Sequence, residues 1–282
     1  MTIRSEILQR LPTTSGLGIE DAAFSLLALR NSGADPHALL RTQHRSGAWS
    51  ALPNTEPPSA FHTALALLAI RPFQTTAVRG AAARAFEWLS DLRGLESHWL
   101  WQWKFRLFDR HVRFDPLKSG WPWAPGTVSW VAPTALSIVA FRAWQRNSTR
   151  TAPAIAMLLD RACPKGGWNA GNSVVFGVDL DPHPDFTAMA LLALRNGSPG
   201  HEVLLRRSLD YLRTRLEGSS SPYSLAWALM ALEAHGHQGV DHLRNLLADS
   251  AAAKLDTLPH SVLALVALAL EDVPYTFEEP SR

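Results

Sequence analysis

Acids and a histidine alternate along one short run of the chain, Asp179-Leu-Asp181-Pro-His183-Pro-Asp185. A calcium-binding loop of the EF-hand type needs Gly at its sixth position and an acid at its twelfth. Those positions hold Pro184 and Ala190, so that loop is excluded. A Mg2+-bridged diphosphate stays open beside the plainer reading of a rigid, solvated, proline-rich loop. Asp185 stands after Pro184 and directly before an apolar run, where an Asp side chain caps a helix N-terminus. Elsewhere His62 and His260 each open an apolar helical segment, as does Asp21, preceded by Glu20. Two imidazoles and a carboxylate suit zinc or iron if the fold gathers them, and the alternative is helix capping and loop hydrogen bonding. The third group is aromatic. Ser97 to Arg142 holds Trp99, Trp101, Trp103, Trp121, Trp123 and Trp130, six of the 11 Trp in the chain. Indole faces bury apolar area and attract cations, by about 2 kcal/mol or more where water is excluded. Trp101, Trp103, Trp121, Trp123 and Trp130 are therefore candidates for an apolar binding wall, against simple packing of an insertion.

The elements that must position these residues repeat. Six segments share a small or hydroxyl residue followed by about ten Ala/Leu-rich positions: DAAFSLLALR, HTALALLAIR, PTALSIVAFR, FTAMALLALR, SLAWALMALE and HSVLALVALA. Leu27, Leu68, Val139, Leu192, Met230 and Val266 share one register, at spacings of 41, 71, 53, 38 and 36 residues. Periods in this range mark a repeated supersecondary unit. Each segment is apolar nearly all round, the pattern of a helix buried on every side. More polar helical stretches lie between them at Pro36–Gln43, Thr75–Asp91, Arg150–Cys163, Glu202–Leu216 and Val240–Ala253. An open solenoid needs polar capping repeats, yet Ser261–Leu270 is as apolar as the middle copies. The expected fold is all-α: one α/α toroid over residues 1–282, with six inner helices and five or six outer ones. In a closed ring the last repeat neighbours the first, which would bring His260, Asp21 or Glu20, and His62 to adjacent helix starts.

The longest spacing contains an insertion, residues 97–131. Trp99, Trp101, Trp103 and Phe105 alternate with Leu100, Gln102 and Lys104, and Arg110–Phe114 alternates too, which predicts a β-hairpin turning near Asp109. Ser173–Val178 predicts another short strand on the same rim. Residues 272–282 read as a polar tail.

Gln43-His-Arg-Ser-Gly47-Ala-Trp49 has the form Q-x3-G-x-W, with partial copies at Gly166-Gly167-Trp168 and Gly120-Trp121. Together with the TALALLAI-type helices, this resembles the prenyltransferase and squalene-cyclase repeat over residues 18–270. The resemblance implies the toroid of terpenoid cyclases and protein prenyltransferase β subunits, and an isoprenoid or other apolar substrate. Trp49 and Trp168 then read as staples between neighbouring repeats. HPDFTAM falls where class II cyclases carry an acid motif, which places Asp185 on the proton donor. The outer acids of that motif are replaced by His183 and Phe186. His183 is the expected partner of Asp185, and Phe186 joins the substrate-binding set. His62-Thr63 is similar to the His-Thr at the prenyltransferase zinc histidine, but the family's Asp-x-Cys stands here as Asp185-Phe186-Thr187. Zinc or Mg2+ are thus the open cofactors, and a class II-like mechanism requires neither.

The totals narrow the classes. Formal net charge is +2 and Lys/Arg never run beyond the doublet Arg206-Arg207, so the clustered cations of a nucleic-acid surface are missing. One cysteine, Cys163, allows no intrachain disulfide and no Cys-rich zinc site. No run approaches the roughly 20 apolar residues of a membrane span, and MTIRSEILQRLPTTSG lacks an apolar signal core. These features suggest a soluble, cytoplasmic protein. Membrane-surface contact, a homodimer and a second helical domain in trans stay open as partners. Three functions compete: an acid-initiated terpenoid-cyclase-like enzyme, a metal-dependent enzyme, and a non-catalytic toroid that holds a lipid or peptide.

Overall fold

Helices with no polar side must bury their whole circumference, and they do so here against one another. The computed structural model describes residues 2–11, 18–108, 114–195, 199–216, 221–237, 240–273, 275 and 277. Six apolar helices form its centre: α2 (Ile19–Ala28), α4 (Ala60–Ile70), α7 (Val131–Ala143), α9 (Pro184–Ala193), α11 (Pro222–Ala234) and α13 (His260–Ala269). Every residue of α4 is buried, and all of α7 except Arg142. Helix α2 packs on α13 and α4, α4 on α7, α7 on α9, α9 on α11, and α11 on α13, so the contacts run in a closed cycle. At about 1.5–3 kcal/mol for each fully buried Leu, Ile or Phe, this shared core supplies most of the stabilisation.

Six further helices flank the cycle: α1 (Ile3–Arg10), α3 (His37–Arg41), α5 (Thr76–Asp91), α8 (Thr151–Asp160), α10 (Glu202–Leu216) and α12 (Asp241–Ala252). These are amphipathic. In α5 the buried residues are Val78, Ala81, Ala82, Ala85, Phe86 and Leu89, one stripe at helical spacing. Thr75 starts that helix by accepting a hydrogen bond from the Val78 amide. Helix α1 was not foreseen from the sequence. It packs on α12 and α13 and takes the sixth outer place.

The Arg that ends several repeats has a common role. Arg71 Nε donates to the Ala143 carbonyl at the end of α7 (2.7 Å), and Arg142 donates to the Ala193 and Leu192 carbonyls at the end of α9 (2.7 and 2.6 Å). Each guanidinium thus satisfies orphan carbonyls of the next inner helix and opposes the negative end of its dipole. The seam between α13 and α2 is held at both ends. Arg30 makes a two-pronged pair with Glu271 (2.7 Å on each oxygen). At the other end Asp21 Oδ1 accepts the Ser261 amide at 2.7 Å.

Among the described residues the only sheet is a two-residue hairpin, so the chain is all-α, as expected. The aromatic insertion is a correction. Residues Trp99–Leu107 form helix α6, not a strand. A lone strand leaves its backbone donors unpaired, whereas a helix satisfies them locally. The helix also pairs Trp101 with Phe105 one turn on, ring centroids 6.0 Å apart. The expected turn near Asp109 and all of the second limb, Arg110–Phe114, except Phe114 lie outside the described residues. Ser173–Val178 is likewise not one strand. Val174–Val175 (β1) pairs antiparallel with Val178–Asp179 (β2) around Phe176 and Gly177, both at positive φ (51° and 76°). Two left-handed residues in a row are what a tight hairpin turn needs. Two residues of the presumed polar tail are in the core. Phe277 stacks on Trp227 of α11 (5.8 Å) and Tyr275 lies edge-on to Phe277 (4.9 Å), beneath the Arg30 guanidinium.

Candidate functional site

Three tryptophans set where the inner helices begin. Trp49, Trp121 and Trp168 are fully buried. Their indole N–H groups donate to Leu39, Leu89 and Leu158, the carbonyls of the preceding outer segments (3.0, 2.8 and 2.6 Å). Their backbone amides donate to the hydroxyls of Thr63, Thr134 and Thr187 on α4, α7 and α9, each at 2.9 Å. One residue type at one register therefore clamps outer helix, loop and inner helix together three times. Gln43 adds to the first copy by donating to Gly47 and Ala81 carbonyls. The glycines permit the close approach: at Gly47 (φ 92°) a Cβ would sit 2.5 Å from the Arg84 carbonyl oxygen, and at Gly120 it would sit 2.2 Å from Thr134 Oγ1. Gly120→Ala is expected to lower stability by about 1–3 kcal/mol in urea unfolding, as overpacking does. An unchanged midpoint would show that the Thr134 clamp can yield.

These clamps hold the residues just before each Thr at one end of the helix cycle. His62 Nε2 lies 3.4 Å from Glu20 Oε1, while its Nδ1 is buried without a hydrogen-bond partner. Phe61 packs on the His62 ring (5.3 Å) and on Trp123 (4.9 Å). Asp185 is half-buried in the first turn of α9, and its Oδ1 is buried with no hydrogen-bond partner. Tyr223, at the start of α11, has its phenol pushed well above the usual tyrosine range. Burial is the main cause, the charge of Glu20 the next and that of Asp185 a smaller one. Carboxylates on α2 and α9 thus act on one phenol on α11. The sequence offers Glu20 as a candidate metal carboxylate and gives Tyr223 no role.

Several expectations change here. His183, not Asp185, is the N-cap residue of α9, and its side chain makes no capping bond. His183 does not hold Asp185 Oδ1. Its ring is exposed and lies edge-on to Phe186 (5.9 Å). The metal trio does not assemble: Asp21 is engaged with the Ser261 amide, His260 is exposed, and the described residues contain no group of three His, Cys, Asp or Glu suited to a metal. Asp179, Asp181, His183 and Asp185 form no such group either. The aromatic wall is dispersed. Trp121 is a clamp in the core, Trp103 is 63% exposed on α6, and Trp101 is half-buried beneath Lys104. Only Trp123, beside Phe61, and Trp130 stay near the helix starts.

Trp130 and His183 do come together. They line a cavity of about 400 Å3 with Asn169, Asn172, Leu180 and Asp181. A second cavity, about 580 Å3, lies on the other side of the same loop, between Pro182, Pro184, Tyr211 and Arg215. The Tyr211 hydroxyl donates to the Pro182 carbonyl at 2.6 Å and fixes the loop between the two clefts. Tyr211 sits on α10, far from any motif, and was not foreseen. Cys163 is buried, and desolvation raises its thiol to about 11, which keeps it unreactive at neutral pH.

No family model matches this chain, and no curated protein matches it significantly. The site must therefore be read from its own chemistry.

Proposed function

We propose that the chain is a single α/α toroid that takes an isoprenoid or similarly apolar substrate at the end of the ring where the inner helices begin, and that Asp185 is the acid that starts its cyclisation. The closed cycle of six apolar helices supports the toroid. The observation that carries the chemistry is the buried Asp185 oxygen without a hydrogen-bond partner, in the first turn of α9.

In this reading the Asp185 carboxyl is the proton donor. Its proton passes to one carbon of an alkene, the π pair forms the new C–H bond, and the adjacent carbon becomes cationic. The next alkene of the chain attacks that carbon and closes a ring. A final C–H bond gives up its proton to a base, and its electron pair becomes the product alkene. His62 has a free buried nitrogen lone pair available for that step if Nε2 carries the proton toward Glu20. The faces of Phe61, Trp123 and Phe186 stabilise the intermediate cations. A second copy or another helical domain would shield the ring end from water.

The test is incubation with squalene and with C15–C20 prenyl diphosphates, followed by gas chromatography and mass spectrometry. Cyclised product is expected, and Asp185→Asn should lower its formation by at least about tenfold. No product from any of these substrates, with prenyl binding unchanged in Asp185→Asn, removes the acid role. Prenyl binding that depends on Trp123 but not on Asp185 selects the non-catalytic toroid instead.

A further inference from the structure

Helix α6 exposes apolar surface that the fold does not use. Trp99 is 62% exposed, Trp103 63%, Leu107 51% and Phe108 75%. Trp99, Trp103 and Leu107 are spaced four apart, so they stand in one row along the helix. The main packing partner of α6 is the short 3-10 turn Leu95–Ser97 that leads into it. Trp101 and Phe105 face the other way. Phe105 meets Phe114 (5.1 Å), Phe114 lies under the Arg161 guanidinium (3.9 Å), and Arg161 donates to Gly171 and Asn172. That chain of contacts ties α6 to the root of the β1–β2 hairpin. The hairpin tip exposes apolar side chains too, Phe176 at 75% and Val178 at 63%. Phe176 takes positive φ, a conformation that is uncommon for a bulky residue. A contiguous row of large exposed apolar side chains, such as Trp99, Trp103 and Leu107, marks an interaction or membrane surface.

We infer that α6 is a membrane-docking helix, which lies in the interface of an anionic lipid surface with Trp99, Trp103 and Leu107 inserted. Its composition selects this occupant. The nine residues Trp99–Leu107 contain Lys104 and Arg106 and no acid, and interfacial helices combine Trp, Phe or Leu on one side with cations for the headgroups. Trp rings also prefer the headgroup level, where one edge is apolar and the other wet. A second copy of the chain fits less well. A two-fold contact places the same patch against itself, so one cationic α6 would meet a second cationic α6. No helix among the described residues is long and apolar enough to cross a membrane, so the contact is with the surface. The inference does not rest on the chemistry of Asp185.

The full-length chain is mixed with vesicles of phosphatidylcholine alone or with phosphatidylglycerol added, and binding is read by flotation and tryptophan emission. Binding to the anionic vesicles with a blue shift is expected. The double variant Trp99→Ser/Trp103→Ser should bind at least tenfold more weakly, and Lys104→Glu about fivefold more weakly at low salt. Trp99 and Trp103 are exposed, so the thermal midpoint of the double variant should not move. Absence of vesicle binding overturns the proposal, as does equal binding by the double variant. Concentration-dependent dimerisation in sedimentation, lost in the double variant, assigns the face to a second copy and also overturns it.

Discussion

Trp168→Ala is expected to cost about 3–5 kcal/mol of stability, near the top of the range for a large-to-small change in a core. The indole is fully buried, and Trp168 joins helices α8 and α9. Its ring N–H donates to Leu158 on α8, its amide to Thr187 on α9, and Thr187 Oγ1 donates back to its carbonyl at 3.1 Å. The preceding Gly167 amide donates to Ser208 Oγ on α10 at 2.7 Å. Removing the ring opens a cavity and also leaves the Leu158 carbonyl without that donor. Trp168→Phe separates the two effects. It keeps most of the volume and loses the hydrogen bond, so it should cost less, about 1–3 kcal/mol. Urea unfolding reads both through the midpoint, provided the slope is unchanged. A loss under about 1 kcal/mol for Trp168→Ala would mean that the loop repacks and that the clamp is not what orders the start of α9.

Glu96→Ala is expected to be of similar severity for an electrostatic reason. Glu96 is fully buried in the turn before α6, and both its carboxylate oxygens accept the Ser129 amide (3.1 and 3.2 Å). Its charge also favours the charged forms of Arg150 and Arg161. Both guanidinium groups are buried, and desolvation holds each down at about 10. Arg150 donates to the Leu92 and Gly120 carbonyls and lies over the Trp121 ring. Without Glu96 the buried Ser129 amide loses its carboxylate acceptor and two buried guanidinium groups lose a favourable charge, and leaving buried groups uncompensated costs about 3–5 kcal/mol. Glu87→Ala, at an exposed position on α5, is the control and should lie within about 0.5 kcal/mol of the parent. Equal unfolding midpoints for Glu96→Ala and Glu87→Ala would show that the guanidinium groups are satisfied by their carbonyl contacts alone. Gly94 fits the same argument: a Cβ there would stand 2.5 Å from Glu96 Oε2, so the carboxylate occupies the space that a side chain would take.

The six apolar segments were legible because burial on all sides leaves a composition that no surface element shares. Their register also carried the Trp–Thr clamp, since the Thr slot and the Gly-Trp loops recur together at Thr63, Thr134 and Thr187. The insertion was misread for an equally physical reason. Alternating Trp in residues 99–105 fits a strand only if another strand is there to pair, and pairing is not a local property. In the helix the same residues fall into two rows, one holding Trp99 and Trp103 and the other Trp101 and Phe105. The single aromatic wall read from their proximity in sequence was thus divided between core, ring end and solvent.

The candidate site divides in the same way. The repeat alone specified which residues stand just before each Thr slot, because two register positions recur: Asp21, His62 and His260 at one, and Glu20, Asp185 and Tyr223 at the other. What each of them faces depends on neighbours between 38 and 240 residues away. Asp21 answers Ser261 across the seam, Glu20 answers His62, and the charges of Glu20 and Asp185 meet at Tyr223. Residue type and spacing settle the helices because hydrophobic burial and backbone hydrogen bonding act on local pattern. Ion pairs, an unpartnered carboxylate oxygen and an exposed aromatic row exist only once distant segments have been packed, and the packing decided them.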